Sequence, residues 1–81
     1  MSPYVPKPPH GFLDNCVFFR IIGGRKVYKG KNQGRDKYFS YDELHGEIEV
    51  FNKRGKHIGV MDAVTGEWIK EAVPGRIIDV S

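Results

Sequence analysis

Residues 38–52 read Tyr-Phe-Ser-Tyr-Asp-Glu-Leu-His-Gly-Glu-Ile-Glu-Val-Phe-Asn and set one histidine, His45, among four carboxylates, Asp42, Glu43, Glu47 and Glu49. From His45 onward the pattern has the two-residue period of a strand. His45, Glu47 and Glu49 share one parity, Ile48 and Val50 the other. An extended segment would therefore carry an acid–base set on one face and apolar side chains on the opposite face. Asp42 stands three residues before His45, close enough to orient the imidazole. Carboxylates crowded together raise one another's proton affinity toward the range useful for a general base. This set suits cleavage of RNA, which carries its own nucleophile in the 2′-hydroxyl. That chemistry needs a base for the 2′ proton, an acid for the leaving 5′ oxygen, and a cation beside the phosphorane oxygens. Glu and His can supply the first two, and an Arg from a neighbouring strand the third. A half-buried strand with an ordinary solvent face alternates in the same way, so spacing alone leaves both readings open.

The rest of the chain must position that face. Its 81 residues make one small domain with a modest core. The single cysteine, Cys16, excludes an internal disulfide, and its neighbours Val17 and Phe18 suit a buried small hydrophobe. One Cys and three scattered His lack the spacing of a zinc site, so no metal ligand set is assigned. No apolar run approaches the ~20 residues that span a bilayer. No signal-peptide core is present, so export would be arranged by something outside this sequence. Residues 1–37 carry eight Lys/Arg against Asp14 and Asp36, and residues 38–81 five against eight carboxylates. Basic stretches attract polyanions. Carboxylates weaken that attraction and so need a reason to be there, and catalysis is one.

Residues 1–11, with Pro3, Pro6, Pro8 and Pro9, read as an extended leader or linker, and residues 12–81 as the single domain. Residues 16–22 suit a buried strand, with a short helix over 12–19 as the alternative. Residues 25–37 read as a basic, glycine-interrupted, mobile loop, either an RNA-gripping arm or a solubilising segment. Residues 52–56 form a turn, and 57–61 return as the strand that pairs with 46–51. Residues 67–70 are a third short strand, and Pro74-Gly75 precedes a last apolar run. Closely spaced turns between short strands give a mainly β, α+β fold. We expect a small, strongly twisted antiparallel sheet with at most a short N-terminal helix. Gly59 within a strand marks a bulge or tight bend. His57, at a strand start, reads as a structural or turn residue, and a lone Trp68 as core. Tyr38, Phe39 and Tyr41 divide between core and RNA stacking in a way the sequence does not assign.

From residue 23 to residue 76 the chain resembles the C-terminal ribonuclease domain of the ribosome-targeting colicins and cloacin, a family that includes related contact-dependent inhibition toxins. The resemblance rests on Tyr38-x-x-Tyr41-Asp42-x-x-His45-Gly46-Glu47-Ile48-Glu49, then His57-Ile58-Gly59, Thr65-Gly66 and Pro74-Gly75-Arg76. Upstream, Gly23-Gly24-Arg25-Lys26 and residues 35–38 fit the family's basic loop. The chain departs from it in ending Ile-Ile-Asp-Val-Ser where the colicins have a lysine-rich tail, and in a 53–56 turn shorter by one residue.

The resemblance implies a catalytic set of Asp42, His45, Glu49 and Arg76, with Glu47 in support. In it Glu49 is the base on the 2′-hydroxyl, Arg76 the phosphorane clamp, and His45, oriented by Asp42, the acid or an electrostatic partner. The division of labour between Glu49 and His45 stays open. Candidate RNA-binding cations are Arg25, Lys26, Lys29, Lys31, Arg35, Lys37, Lys53, Arg54 and Lys56. The implied activity is metal-independent cleavage of small-subunit ribosomal RNA at the decoding site, without a cofactor, in the cytoplasm of a target bacterium. The domain would arrive there as the C-terminal module of a larger delivered toxin. The implied partners are the ribosome and a cognate acidic immunity protein, expected to bind beside the carboxylate-lined face rather than on it. A nonenzymatic RNA-binding module and a ribonuclease acting on tRNA are the rival readings.

Overall fold

A computed structural model of the chain describes residues 6–81; residues 1–5 of the expected leader lie outside the described residues. Among the described residues a single 3₁₀ turn, Phe12–Asn15, precedes six strands: β1 (Val17–Ile22), β2 (Arg25–Asn32), β3 (Arg35–Asp42), β4 (Glu47–Phe51), β5 (His57–Asp62) and β6 (Trp68–Glu71). All neighbours pair antiparallel, in the order β1-β2-β3-β4-β5-β6. The fold is the expected meander. The alternative of a helix over 12–19 reduces to the one 3₁₀ turn, because the β-branched and aromatic run from Val17 goes into the sheet.

Strand alternation builds two faces. Phe39, Ile48, Val50 and Met61 are fully buried on one, closed over by Leu13 and Phe12 of the N-terminal turn. The Phe12 and Phe39 rings stand 4.9 Å apart, and the Phe12 N–H donates to the Ala63 carbonyl at 3.0 Å. Burial of such side chains contributes roughly 1.5–3 kcal/mol each. The second face buries Val27, Tyr38 and Phe51 under Phe19, Ile22 and the tail residues Ile78 and Val80. Past that cover, the cross-strand row Ser40–Glu49–Val60 continues the same face.

Three expectations need correction. Residues 25–37 are no loop: they are β2, a turn, and the start of β3. Gln33 and Gly34, at φ 57° and 75°, supply the paired positive dihedrals of a tight hairpin turn. Lys29 and Lys31 take the exposed positions of a true strand between Val27 and Asn32. The expected buried strand at 16–22 is instead an exposed edge, with Val17, Phe18 and Ile21 all more than half exposed. Among the described residues it pairs with a neighbour on one side only. Trp68 is 43% exposed on the opposite edge strand rather than in the core, with Lys37 Nζ 5.7 Å from its ring.

Gly59 lies where expected, beside two register shifts, between Val50 and Phe51 on β4 and between Val60 and Met61 on β5. After β6 the chain turns back along the start of β5. Lys56 and Ile77 form an isolated bridge, and the His57 N–H donates to the Arg76 carbonyl at 3.0 Å.

Candidate active site

The open part of the second face holds a cleft of about 300 Å³. Asp42, His45, Glu47, Glu49 and Arg76 all line it, joined by Arg25 and Lys70. The fold thus brings together every residue of the expected catalytic set, from two strands, one turn and the C-terminal tail.

Asp42 ends β3, and its carboxylate organises the turn that follows. Oδ1 accepts the N–H groups of Leu44 and His45 at 2.9 and 3.3 Å, and Oδ2 lies 2.7 Å from His45 Nδ1. His45 therefore reaches the cleft from the turn, because β4 begins only at Glu47 and not at His45 as the alternation suggested. Its side chain is 58% exposed, with Nδ1 held by Asp42. Burial works to raise the Asp42 pKa, but the hydrogen bonds from the His45 ring and the two backbone N–H groups outweigh it and hold the carboxyl below its ordinary range. The upward push expected from crowded carboxylates is reversed at this residue.

Glu49 is buried, at 6% exposure in the middle of β4. Arg76 Nη1 donates to its Oε1 at 3.0 Å, across 27 positions of sequence. Its Oε2 lies 2.5 Å from Nε2 of His57. Glu47, two residues back on the same face, accepts from Lys70 Nζ at 3.0 Å. The site therefore pairs a solvent-facing imidazole, backed by one carboxylate, with a fixed carboxylate flanked by a guanidinium. This pairing can remove one proton, deliver another and neutralise an anionic centre between them.

His57 is the residue that sequence reasoning undervalued. It starts β5 as expected, but it is 1% exposed and bonded to Glu49. Counting the hairpin register from the 52–56 turn places His57 opposite Phe51, hence on the Glu49 face, and that count was the available signal.

The nine candidate RNA-binding cations do not form one patch. Arg25 lines the cleft. Lys29 and Lys31 share its parity on β2 and so its face, with Lys29 Nζ 5.9 Å from the Tyr38 ring. Lys26 on β2 and, through the β2–β3 register, Arg35 and Lys37 on β3 take the opposite face. Arg35 and Lys37 join Lys53 and Arg54 around a groove at the other end of the sheet, roughly 23 Å along β3 from Asp42. Lys56 stands exposed at the bridge to Ile77. Tyr38 and Phe39 are core, and Tyr41 donates its hydroxyl to the Pro6 carbonyl at 3.0 Å.

Among the described residues no helix is long and apolar enough to cross a membrane, and no cluster of His, Cys, Asp and Glu has the arrangement of a metal site. A family model described as Cytotoxic matches residues 20–79, a span that holds the whole cleft. No curated protein matches the chain.

Proposed function

Because the chain belongs to the Cytotoxic family, the ribonuclease toxin domain of the colicin and cloacin type, we propose that this toxin domain is an endoribonuclease cutting small-subunit ribosomal RNA by attack of the 2′-hydroxyl on its own phosphate. One observation carries the proposal: the buried Glu49, paired with the partly exposed Arg76, shares a cleft with the exposed His45, paired with the buried Asp42. In this reading Glu49 takes the 2′ proton as the oxygen attacks phosphorus. Arg76 meets the charge that grows on the phosphorane oxygens. His45, protonated and held by Asp42, gives its Nε2 proton to the departing 5′ oxygen. The products are a 2′,3′-cyclic phosphate and a free 5′-hydroxyl, so protons and charge balance without another reactant. Glu47 holds Lys70 at the rim, where it adds positive potential for the substrate.

The site assignments, the ribosomal target and independence from metals all belong to the proposal, as does the division into a leader at 1–11 and a catalytic domain at 12–81. Action in the cytoplasm of a target bacterium, delivery within a larger toxin, and restraint by an acidic immunity protein follow from the same reading. The basic β2–β3 hairpin supports the last of these, since it offers an acidic partner a rapid electrostatic capture surface beside the carboxylates.

The test is incubation of the protein with ribosomes in EDTA, followed by analysis of the RNA. A single discrete fragment from the 3′ end of the small-subunit RNA is expected, bearing a 5′-hydroxyl. Glu49→Gln, His45→Ala and Arg76→Ala should each suppress it by on the order of 10²-fold or more. Binding with no fragment would favour the RNA-binding module, and cut tRNA would move the substrate.

A further inference from the structure

His57 is a buried imidazole that the reaction as written does not use. Its ring is 1% exposed and lies edge-on to Phe51, 5.3 Å between centroids. Three hydrogen bonds converge on it. The Val73 N–H donates to Nδ1 at 2.9 Å. Nε2 faces Glu49 Oε2. The backbone N–H donates to the Arg76 carbonyl at 3.0 Å.

These bonds fix the state of the ring. Nδ1 accepts from a backbone N–H and so carries no proton, which leaves the neutral imidazole protonated on Nε2 and donating to Glu49. An imidazolium would point an N–H at the Val73 N–H in a site buried from solvent. From these bonds we infer that His57 is a positioning residue: a neutral, single-tautomer donor that aims the Glu49 carboxylate and ties the Arg76 segment to it. The inference rests on the ribonuclease reading of the same cleft.

Neutrality is the physical point. Glu49 already has one cation in Arg76. A second full charge on Oε2 would stabilise the carboxylate further and weaken it as a base, whereas a neutral N–H fixes its direction at smaller cost to basicity. The same ring also spans the site, because the residue whose side chain holds Glu49 has its backbone on Arg76 and its Nδ1 on Val73. The base and the clamp are thereby set at one distance by one residue.

Long-range ¹H–¹⁵N correlation spectra of the ¹⁵N-labelled protein read the tautomer directly. The expected result is an unprotonated Nδ1 and a protonated Nε2 at neutral pH. An Nδ1–H tautomer or an imidazolium overturns the proposal. Kinetics on RNA then separate positioning from bulk structure. His57→Leu fills the space without a donor and should lower kcat by about 10- to 100-fold with KM little changed. His57→Gln restores an N–H at the ε position and should recover most of that loss. If Gln is as impaired as Leu, or Leu matches wild type, the positioning role is wrong. Should Leu fail to fold, the tautomer and the absolute activity of the Gln variant still decide: Gln within about tenfold of wild type supports the role, and a larger loss overturns it. A wild-type protein that cuts no RNA, whatever its tautomer, removes the ribonuclease reading itself, so the two failures are told apart.

Discussion

At the scale of single residues, the two proposed acid–base groups have opposite settings. Glu49 is buried with both carboxylate oxygens engaged, while His45 stands in the turn with its side chain 58% exposed and Nδ1 against Asp42. Removing Arg76 leaves a buried carboxylate with one neutral donor. Arg76 is 40% exposed, so solvent offsets part of that loss. Arg76→Ala should cost about 1–2 kcal/mol in urea unfolding, well short of unfolding the domain, while activity collapses. Asp42 makes a second prediction. Its pKa is lowered on folding, so its contribution to stability is present above the ordinary Asp value of ~3.9 and disappears as pH falls through the lower folded value. Asp42→Asn should therefore narrow the gap in melting temperature between pH 7 and pH 3 relative to wild type. An unchanged gap would deny Asp42 its role in the turn. Asp42, His45 and Glu49 stood out in sequence as a cluster within eight residues, and their candidate roles came from the family resemblance. His57 was readable only by counting the hairpin register, because its partner lies across a bulged hairpin and not close along the chain.

Elements rather than residues decide where Arg76 goes. The tail that carries it is held at the 52–56 turn, where the Ile78 N–H donates to the Gly55 carbonyl at 2.8 Å. Gly55 has φ 85°, and a Cβ there would come within 2.0 Å of the Ile78 carbonyl oxygen. A side chain is thus excluded twice, by its own dihedral and by the tail's backbone. Gly34, at φ 75° with open space around it, carries only the first penalty. Gly34→Ala should cost about 1 kcal/mol and leave activity intact. Gly55→Ala should cost about 1–3 kcal/mol and lower activity as the tail and Arg76 shift. Thermal melts and RNA cleavage on the same two variants check both halves, and equal behaviour would deny the tail its anchoring. The meander itself was readable from turn spacing, since every sheet neighbour is also a sequence neighbour. The basic hairpin was misread because Lys-rich alternation looks solvated whether it is strand or loop. The exposure of β1 could not be read at all, since an edge strand and a central strand share the same composition.

Across the whole molecule, charge is sorted twice, first along the sequence and then by strand parity. The chain carries +3 overall, yet a polyanion approaching the cleft meets only part of that charge. Arg25, Lys29 and Lys31 project from β2 on the Glu49 face, while Arg35 and Lys37 project from β3 on the opposite one. An RNA strand lying in the cleft and running along β2 would place successive phosphates near Lys29 and Lys31, while the sheet itself separates it from Arg35. Each phosphate neutralised releases condensed counterions, and for single strands the logarithm of affinity falls with the logarithm of salt by about 0.7 per contact. Lys29→Ala and Lys31→Ala should each flatten the salt dependence of kcat/KM on an RNA oligonucleotide by about that amount, without altering the cleavage position. Arg35→Ala removes the same charge from the opposite face and should leave the slope where it was. Carried out from low to physiological salt, the comparison separates a directed track from diffuse attraction by a basic protein. Three equal slopes would mean that net charge alone brings RNA to the cleft, and a change confined to Arg35→Ala would move the path to the groove at the far end of the sheet.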